Sequence, residues 1–352
     1  MLEPVRETQD PGDGASLVLA VADYAATFTV SRDSALATAR CCLIDALGRG
    51  FEALRIPECV SRVGPLVPGA LMPGGARVPG TSLELEPSQA AFCIGVMLGR
   101  PADSDRWLGS SRPRGTDPLA PILAAADYQA RRCIMEGKAP PTVRDILAAI
   151  VKALEIQSVL APADGDHGAP GNELLRSARV TAGTIAAALL GGSSGQIVRA
   201  AIHASLDGEM ILPEDDRHPF GRGHWAAADT LGRGVRHACQ ATAIGCPRSL
   251  TSADLESVDL ADGILGARAL AGTPPSSPRG RFGTGLIDRL GSSQGAADLA
   301  QLTTGFRAAV DSCFPPRQAE RVKALFAAPQ RLDDMPVNEL MAALVANGAR
   351  QR

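Results

Sequence analysis

Three polar stretches hold the residues whose types and spacing could do chemistry. Residues 102–117 read ADSDRWLGSSRPRGTD and carry the carboxylates Asp105 and Asp117, with Arg106, Arg112 and Arg114 inside nine positions. Residues 161–171, APADGDHGAPG, set Asp166 beside His167. Residues 216–233, DRHPFGRGHWAAADTLGR, bring Arg217, His218, Arg222 and His224 close together in the chain. A guanidinium binds a carboxylate through paired hydrogen bonds and stays protonated, so the arginines can hold an anion but cannot act as bases. An imidazole titrates near neutrality, which makes His167 and His224 candidate proton carriers beside Asp105. Each group also has a plainer reading. Asp105 and Asp117 read equally as loop- or helix-capping carboxylates. The arginines of 106–114 read as a solvated loop, His167 as an exposed loop residue, and Arg217, His218 and Arg222 as surface cations ahead of a helix.

Other motifs carry less. FGRGHWA satisfies a loose G-x-G-x-x-A but follows no strand pattern, so it is not a nucleotide fingerprint. GSSRPRG and GGSSGQ are Ser-Gly loops outside a nucleophile-elbow context, so neither supplies a catalytic Ser. His203 and His237 fall in helical segments and read as structural. No two of the eight cysteines are spaced C-x-x-C, which argues against a zinc ribbon or a dithiol redox site. Most lie among apolar residues, the setting of small core side chains in a reducing compartment.

The elements that must position these groups are helical. Apolar residues recur at three- and four-residue spacing in SLVLAVADYAATF, DSALATARCCLIDALGRGFEAL, SQAAFCIGVML, DPLAPILAAADYQARRCI, TVRDILAAIVKALEIQSVL, NELLRSARVTAGTIAAALLG, SGQIVRAAIHASL and HWAAADTLGRGVRHACQATAIG. Three further segments, GAADLAQLTTGFRAAV, QAERVKALFAA and VNELMAALVANG, complete the C-terminal part. Ser31 ahead of Asp33 reads as an N-cap signal, and Gly48 and Gly50 fall near the expected end of that second helix. PGALMPGGARVPGTSLELEP, residues 68–87, is punctuated by Pro and Gly and reads as an extended loop or short hairpin. No strand pattern alternates with the helices, which excludes a doubly wound sheet.

Aromatic residues make up only 3% of the 352-residue chain, so its core must be built from small aliphatic side chains that let helices approach closely. A net charge of −3 gives no electrostatic case for nucleic acid or an anionic membrane as partner. The N-terminal MLEPVRETQDPGDG lacks an apolar h-region, and no run of about 18 apolar residues appears, so a cytoplasmic protein without a membrane span is expected.

Cys42–Gly99, the 102–117 loop and Asp117–Arg131 together resemble the MmgE/PrpD family. In that family the loop reads like DFNDTWLAAEWGHPSDN; Asp105, Trp107, Leu108 and Asp117 fit, while the leading Asp falls on Ala102, the Thr on Arg106 and the His on Arg114. A second family His falls on Leu174 without gaps, and His167 substitutes only if about seven residues are looped out. Against a motif like RHAPNTGSRKSWAAGDA, Arg217, His218, Arg222, Trp225, Ala226 and Asp229 match and the Lys falls on Gly223, beside His224. RLDDMPVNELMAALV is similar to the family's closing AMPVNEFMDLLV-type segment.

The resemblance implies an all-α fold, the family's helical domain, with its smaller α+β lid largely absent. The expected organisation is a disordered lead over 1–14, the helical domain over 15–270, a linker and lid remnant over 271–300, and returning helices over 301–352. It further implies a hydro-lyase acting on a tricarboxylate such as 2-methylcitrate in propionate catabolism, with no metal or other cofactor, as a homodimer. On that pattern Asp105, His167 and His224 are the catalytic candidates, and Arg114, Asp117, Arg217, His218 and Arg222 the carboxylate-binding ones. The substitutions at 102, 106, 114 and 223 make weak or absent activity the expectation. The rivals are a catalytically silent helical protein that forms dimers, a tricarboxylate-binding protein, and an enzyme with a new reaction on an anionic substrate clamped by Arg106, Arg114, Arg217 and Arg222, with His167 or His224 as its base.

Overall fold

The computed structural model describes residues 17–99, 117–160, 172–208, 221–269 and 296–346. They form a mainly helical domain. In chain order the helices are α1 (Leu17–Thr27), α2 (Asp33–Ala53), α3 (Pro57–Val60), α4 (Pro87–Leu98), α5 (Leu119–Met135), α6 (Val143–Leu160) and α7 (Asn172–Leu189). They continue with α8 (Ser194–Leu206), α9 (Arg222–Thr242), α10 (Ser252–Ala269), α11 (Ala296–Cys313), α12 (Pro316–Phe326), α13 (Pro329–Asp333) and α14 (Val337–Ala343). Among the described residues the one sheet is a hairpin of β1 (Ala76–Arg77) and β2 (Glu84–Leu85), antiparallel with Ala76 opposite Leu85. It lies inside the segment whose Pro and Gly residues read as a short hairpin.

α9 is the central helix. It packs along α4 on one side and α7 on the other, with α8 beside it. Its buried residues Ala227, Ala228, Leu231, Val235 and Ala238 are mostly small. The close approach they permit shows at Gly234, where a Cβ would stand 2.6 Å from the Ala182 side chain and 2.7 Å from the Arg179 carbonyl of α7. Any side chain there would push the two helices apart.

Local signals explain several boundaries. Ser193 and Gln196 form a reciprocal capping box at the start of α8, which gives GGSSGQ a structural use. Glu86 accepts from the backbone of Ser88 and Gln89 and starts α4. One expectation at α2 needs correction: Arg32 is the N-cap, without a side-chain cap bond, so Ser31 does not start the helix. Gly48 and Gly50 do fall near its end at Ala53, where they lie buried against Phe306 of α11 and against Met97 and Leu98 of α4. α10 went unread in the sequence because its apolar residues do not gather on one face; Leu255 and Leu260 are exposed. It is seated by the buried Val258 and Ala261 and by a polar tie, Arg199 of α8 gripping both oxygens of Asp254 at 3.1 and 2.7 Å.

The C-terminal helices are part of the same core. Arg40 of α2 holds Asp333 through both oxygens. Val143 N donates to Met335 O at 2.8 Å, and Val337 N to Pro141 O at 2.9 Å. The buried Arg77–Asp127 pair extends to the Asn338 carbonyl at 2.9 Å. No helix among the described residues is long and apolar enough to cross a membrane. All eight cysteines are free, and burial pushes the thiols of Cys59, Cys239 and Cys313 up to about 12.

Candidate functional site

The described flanks of two of the chemistry-bearing stretches, 102–117 and 216–233, meet at one end of the bundle. The C-terminus of α4, the N-terminus of α5 and the N-terminus of α9 are joined there by two side chains. Arg49, on α2, donates from Nη1 to the Leu98 carbonyl at 2.5 Å, from Nη2 to Asp117 Oδ2 at 2.9 Å and from Nε to Asp45 at 3.0 Å. Burial works to lower its pKa, but the charges of Asp117 and Asp45 outweigh that and hold it above the ordinary value. His224, in the first turn of α9, places Nε2 2.9 Å from the Val96 carbonyl of α4. Its ring fills the space left by Gly99, where a Cβ would lie 1.8 Å from Cε1. Burial pushes the imidazole pKa down, against the opposing pull of the Val96 and Gly99 carbonyls.

Asp117 and His224 are the two candidate side chains within the described residues. The Asp117 side chain accepts from Leu119 N at 3.0 Å through Oδ1, satisfying an orphan donor at the start of α5, while Oδ2 takes Arg49. Arg222 opens α9. Asp105, Arg114, His167, Arg217 and His218 lie outside the described residues. Gly223, where the family pattern has Lys, is half-buried, and Trp225 is 42% exposed with its ring edge-on to Phe92.

A second charged cluster stands where α8 ends against α7 and α9. Asp207 accepts from Arg233 through both carboxylate oxygens and lies 3.0 Å from His237 Nε2. Arg179 of α7 donates to the Ala204 carbonyl at 2.7 Å and to that of Asp207 at 2.5 Å. Burial works to raise the Asp207 carboxyl, yet the bonds from Arg233 and His237 and the charge of Arg179 hold it down at about 2. Arg179 itself is lowered to about 10 by burial. Sequence reasoning did not assemble this cluster. The signal it left is the i, i+4, i+8 spacing of Asp229, Arg233 and His237 on one helix face. Nor did it find Arg49, which looked like one more cation in an amphipathic helix. Among the described residues no group of three or more His, Cys, Asp or Glu side chains is placed to hold a metal ion.

A mainly helical domain with one two-stranded hairpin among its described residues defines the fold class. The MmgE/PrpD N-terminal domain matches residues 19–246, and the chain belongs to that family. It is 37% identical over 238 residues to 2-methylcitrate dehydratase of Escherichia coli K12, covering 67% of this chain and 49% of that one. It is 36% identical over 252 residues to the 2-methylcitrate dehydratase of Cupriavidus necator, covering 71% and 51%. A probable 2-methylcitrate dehydratase of Saccharomyces cerevisiae is 32% identical over 219 residues, covering 61% and 42%. The chain thus spans about half the length of the curated relatives it matches.

Proposed function

We propose that the chain is a 2-methylcitrate dehydratase-like hydro-lyase scaffold of propionate catabolism whose activity is weak or absent, and that it lacks most of the family's lid. The observation that carries this reading is the occupation of the two described candidates: Asp117 is committed to Arg49 and the Leu119 amide, and His224 is buried against the Val96 carbonyl. With Gly223 at the family's Lys position and Arg114 at its His position, little proton-transfer capacity is left. Losing one acid/base group costs roughly 10²–10⁴ in rate, so several losses together leave almost none. Support for the lost lid comes from the way α13 and α14 pack back on the helical domain while the chain covers about half of each relative. Without a lid the site is wetter and its charge interactions weaker. The same reading makes the chain a cytoplasmic homodimer that retains arginines for a tricarboxylate.

The test is an assay of the purified chain for loss of 2-methylcitrate and of cis-aconitate, beside an Arg114→His/Gly223→Lys double variant. The expected result for the unmodified chain is no turnover at ordinary enzyme rates. Turnover at such rates overturns the reading, and tricarboxylate binding without turnover selects an arginine clamp.

A further inference from the structure

We propose that the groove between α12, α13 and α14 binds a small organic carboxylate with an apolar body. The groove holds about 550 Å³ and is lined by Arg321, Ala324, Leu325, Arg331, Ala342 and Ala343. That size falls within the ~300–1,000 Å³ of ordinary small-molecule sites, and the lining has their usual composition of apolar walls with a few polar groups. None of the six residues belongs to the stretches at 102–117, 161–171 or 216–233, and all lie beyond the family match at 19–246.

The two arginines give the ligand its charge. Neither the Arg321 nor the Arg331 side chain makes an ion pair or a hydrogen bond with a described residue. Of the other cations on these helices and beside them, Lys323 of α12 is held by Asp311 and Glu320 and Arg40 by Asp333, while Arg317 is exposed and does not line the groove. Two guanidiniums left without carboxylates at one groove favour a carboxylate-bearing ligand, which each can engage through paired donors. Ala324, Leu325, Ala342 and Ala343 offer no polar side-chain group, so they favour a hydrocarbon body over a bare inorganic anion.

The walls are fixed before any ligand arrives. Gln318 Nε2, on α12, donates to the carbonyls of Ala343 at 2.9 Å and Val345 at 2.6 Å, tying α12 to the end of α14. Gly80 N donates to Leu344 O at 2.7 Å and holds that same end to the hairpin. A preformed groove spares the ligand an ordering cost.

The test is an NMR titration of the full, isotope-labelled chain with glutarate, following arginine Nε–H signals and alanine methyls. Saturable shifts are expected at Arg321, Arg331, Ala324, Ala342 and Ala343, with affinity lowered at least about tenfold in Arg321→Gln/Arg331→Gln, the loss of a charge-assisted hydrogen bond. Both arginines are exposed, so the variant keeps its core. Glutaramide, the neutral diamide, should leave the signals in place. Unsaturable shifts spread over all surface arginines, or unchanged affinity in the double variant, overturn the site. Sulfate binding as well as glutarate overturns the apolar-body requirement.

Discussion

The Arg77–Asp127 pair ties the hairpin, α5 and the C-terminal return together, and a double-mutant cycle on it tests that role. Asp127 is fully buried; Oδ2 accepts from Arg77 N at 2.8 Å and Nε at 3.0 Å, and Oδ1 accepts from Nη2 at 2.5 Å. Nη2 also donates to Asn338 O at 2.9 Å. Burial pushes the Asp127 carboxyl up, and the bonds and charge of Arg77 only partly reverse it, so the pair carries a large desolvation penalty. Asp127→Asn leaves the guanidinium without its counter-charge, and Arg77→Met leaves the carboxylate without its own; each should cost about 3–5 kcal/mol. In Arg77→Met/Asp127→Asn no buried charge remains. The cost then reduces to lost packing and the stranded Asn338 carbonyl, about 1–3 kcal/mol. The coupling should therefore be at least about 3 kcal/mol, at or above the top of the range usual for contacting residues. Urea unfolding followed by far-UV circular dichroism measures it, and limited proteolysis reports whether α14 loosens in the single variants. Losses that add to within about 0.5 kcal/mol would refute the pair as a unit.

Three further outcomes follow from the geometry. Gly99→Ala drives a methyl into the His224 ring and breaks its bond to Val96 O, at a cost of about 2–4 kcal/mol; calorimetry should show Gly99→Ala/His224→Ala recovering most of it. His224 has a folded pKa below its unfolded value, so its contribution to stability is present above about pH 6.5 and is lost as pH falls through the folded value; NMR should find the ring more than half neutral at pH 6.5, and a mostly protonated ring there contradicts the packing. The Asp207 carboxyl, depressed to about 2, contributes stability above its unfolded pKa that disappears as pH falls from about 4 toward 2; after solvent screening this is about 1 kcal/mol, and acid titration of Asp207→Asn should lack it.

What the sequence made legible was whatever rests on period and small-residue packing. α5, α6 and α9 were readable because their apolar residues return every three or four positions, and the Ala and Gly content already required close helix contacts such as Gly234 on Ala182. α10 was not readable, because Leu255 and Leu260 face solvent beside the buried Val258 and Ala261, and its tie from Arg199 to Asp254 spans 55 residues, a contact with no local period. The site divides in the same way. The residue types at 102–117 and 216–233 pointed to anion chemistry as an expectation, and the actual partners of Asp117 and His224 could not be read from spacing. Asp117 is met by Arg49, 68 residues earlier, and His224 by a backbone carbonyl of α4, which has no residue identity to read. A tertiary contact to a main-chain atom leaves almost no trace in composition.

Helix geometry fixes what a Lys at position 223 would do. Positions 223, 227, 230 and 234 form one stripe of α9. Ala227 and Thr230 are fully buried, and Gly234 lies on α7. Gly223 is therefore the half-buried top of the stripe facing α7, about 100° around the helix from His224, which faces α4. A Lys there would extend past the N-terminal end of α7, away from the His224 ring. It gains up to about 1 kcal/mol of helix propensity over Gly and loses about 0.3–1 kcal/mol to the positive end of the helix dipole. Gly223→Lys should thus leave stability within about 0.5 kcal/mol of the unmodified chain. It should also leave 2-methylcitrate turnover undetectable at ordinary rates, because a cation without a proton carrier can bind the substrate but cannot complete the elimination. A stable Gly223→Lys protein that turned over would mean that a working acid/base pair had survived, and that the missing Lys alone had silenced it.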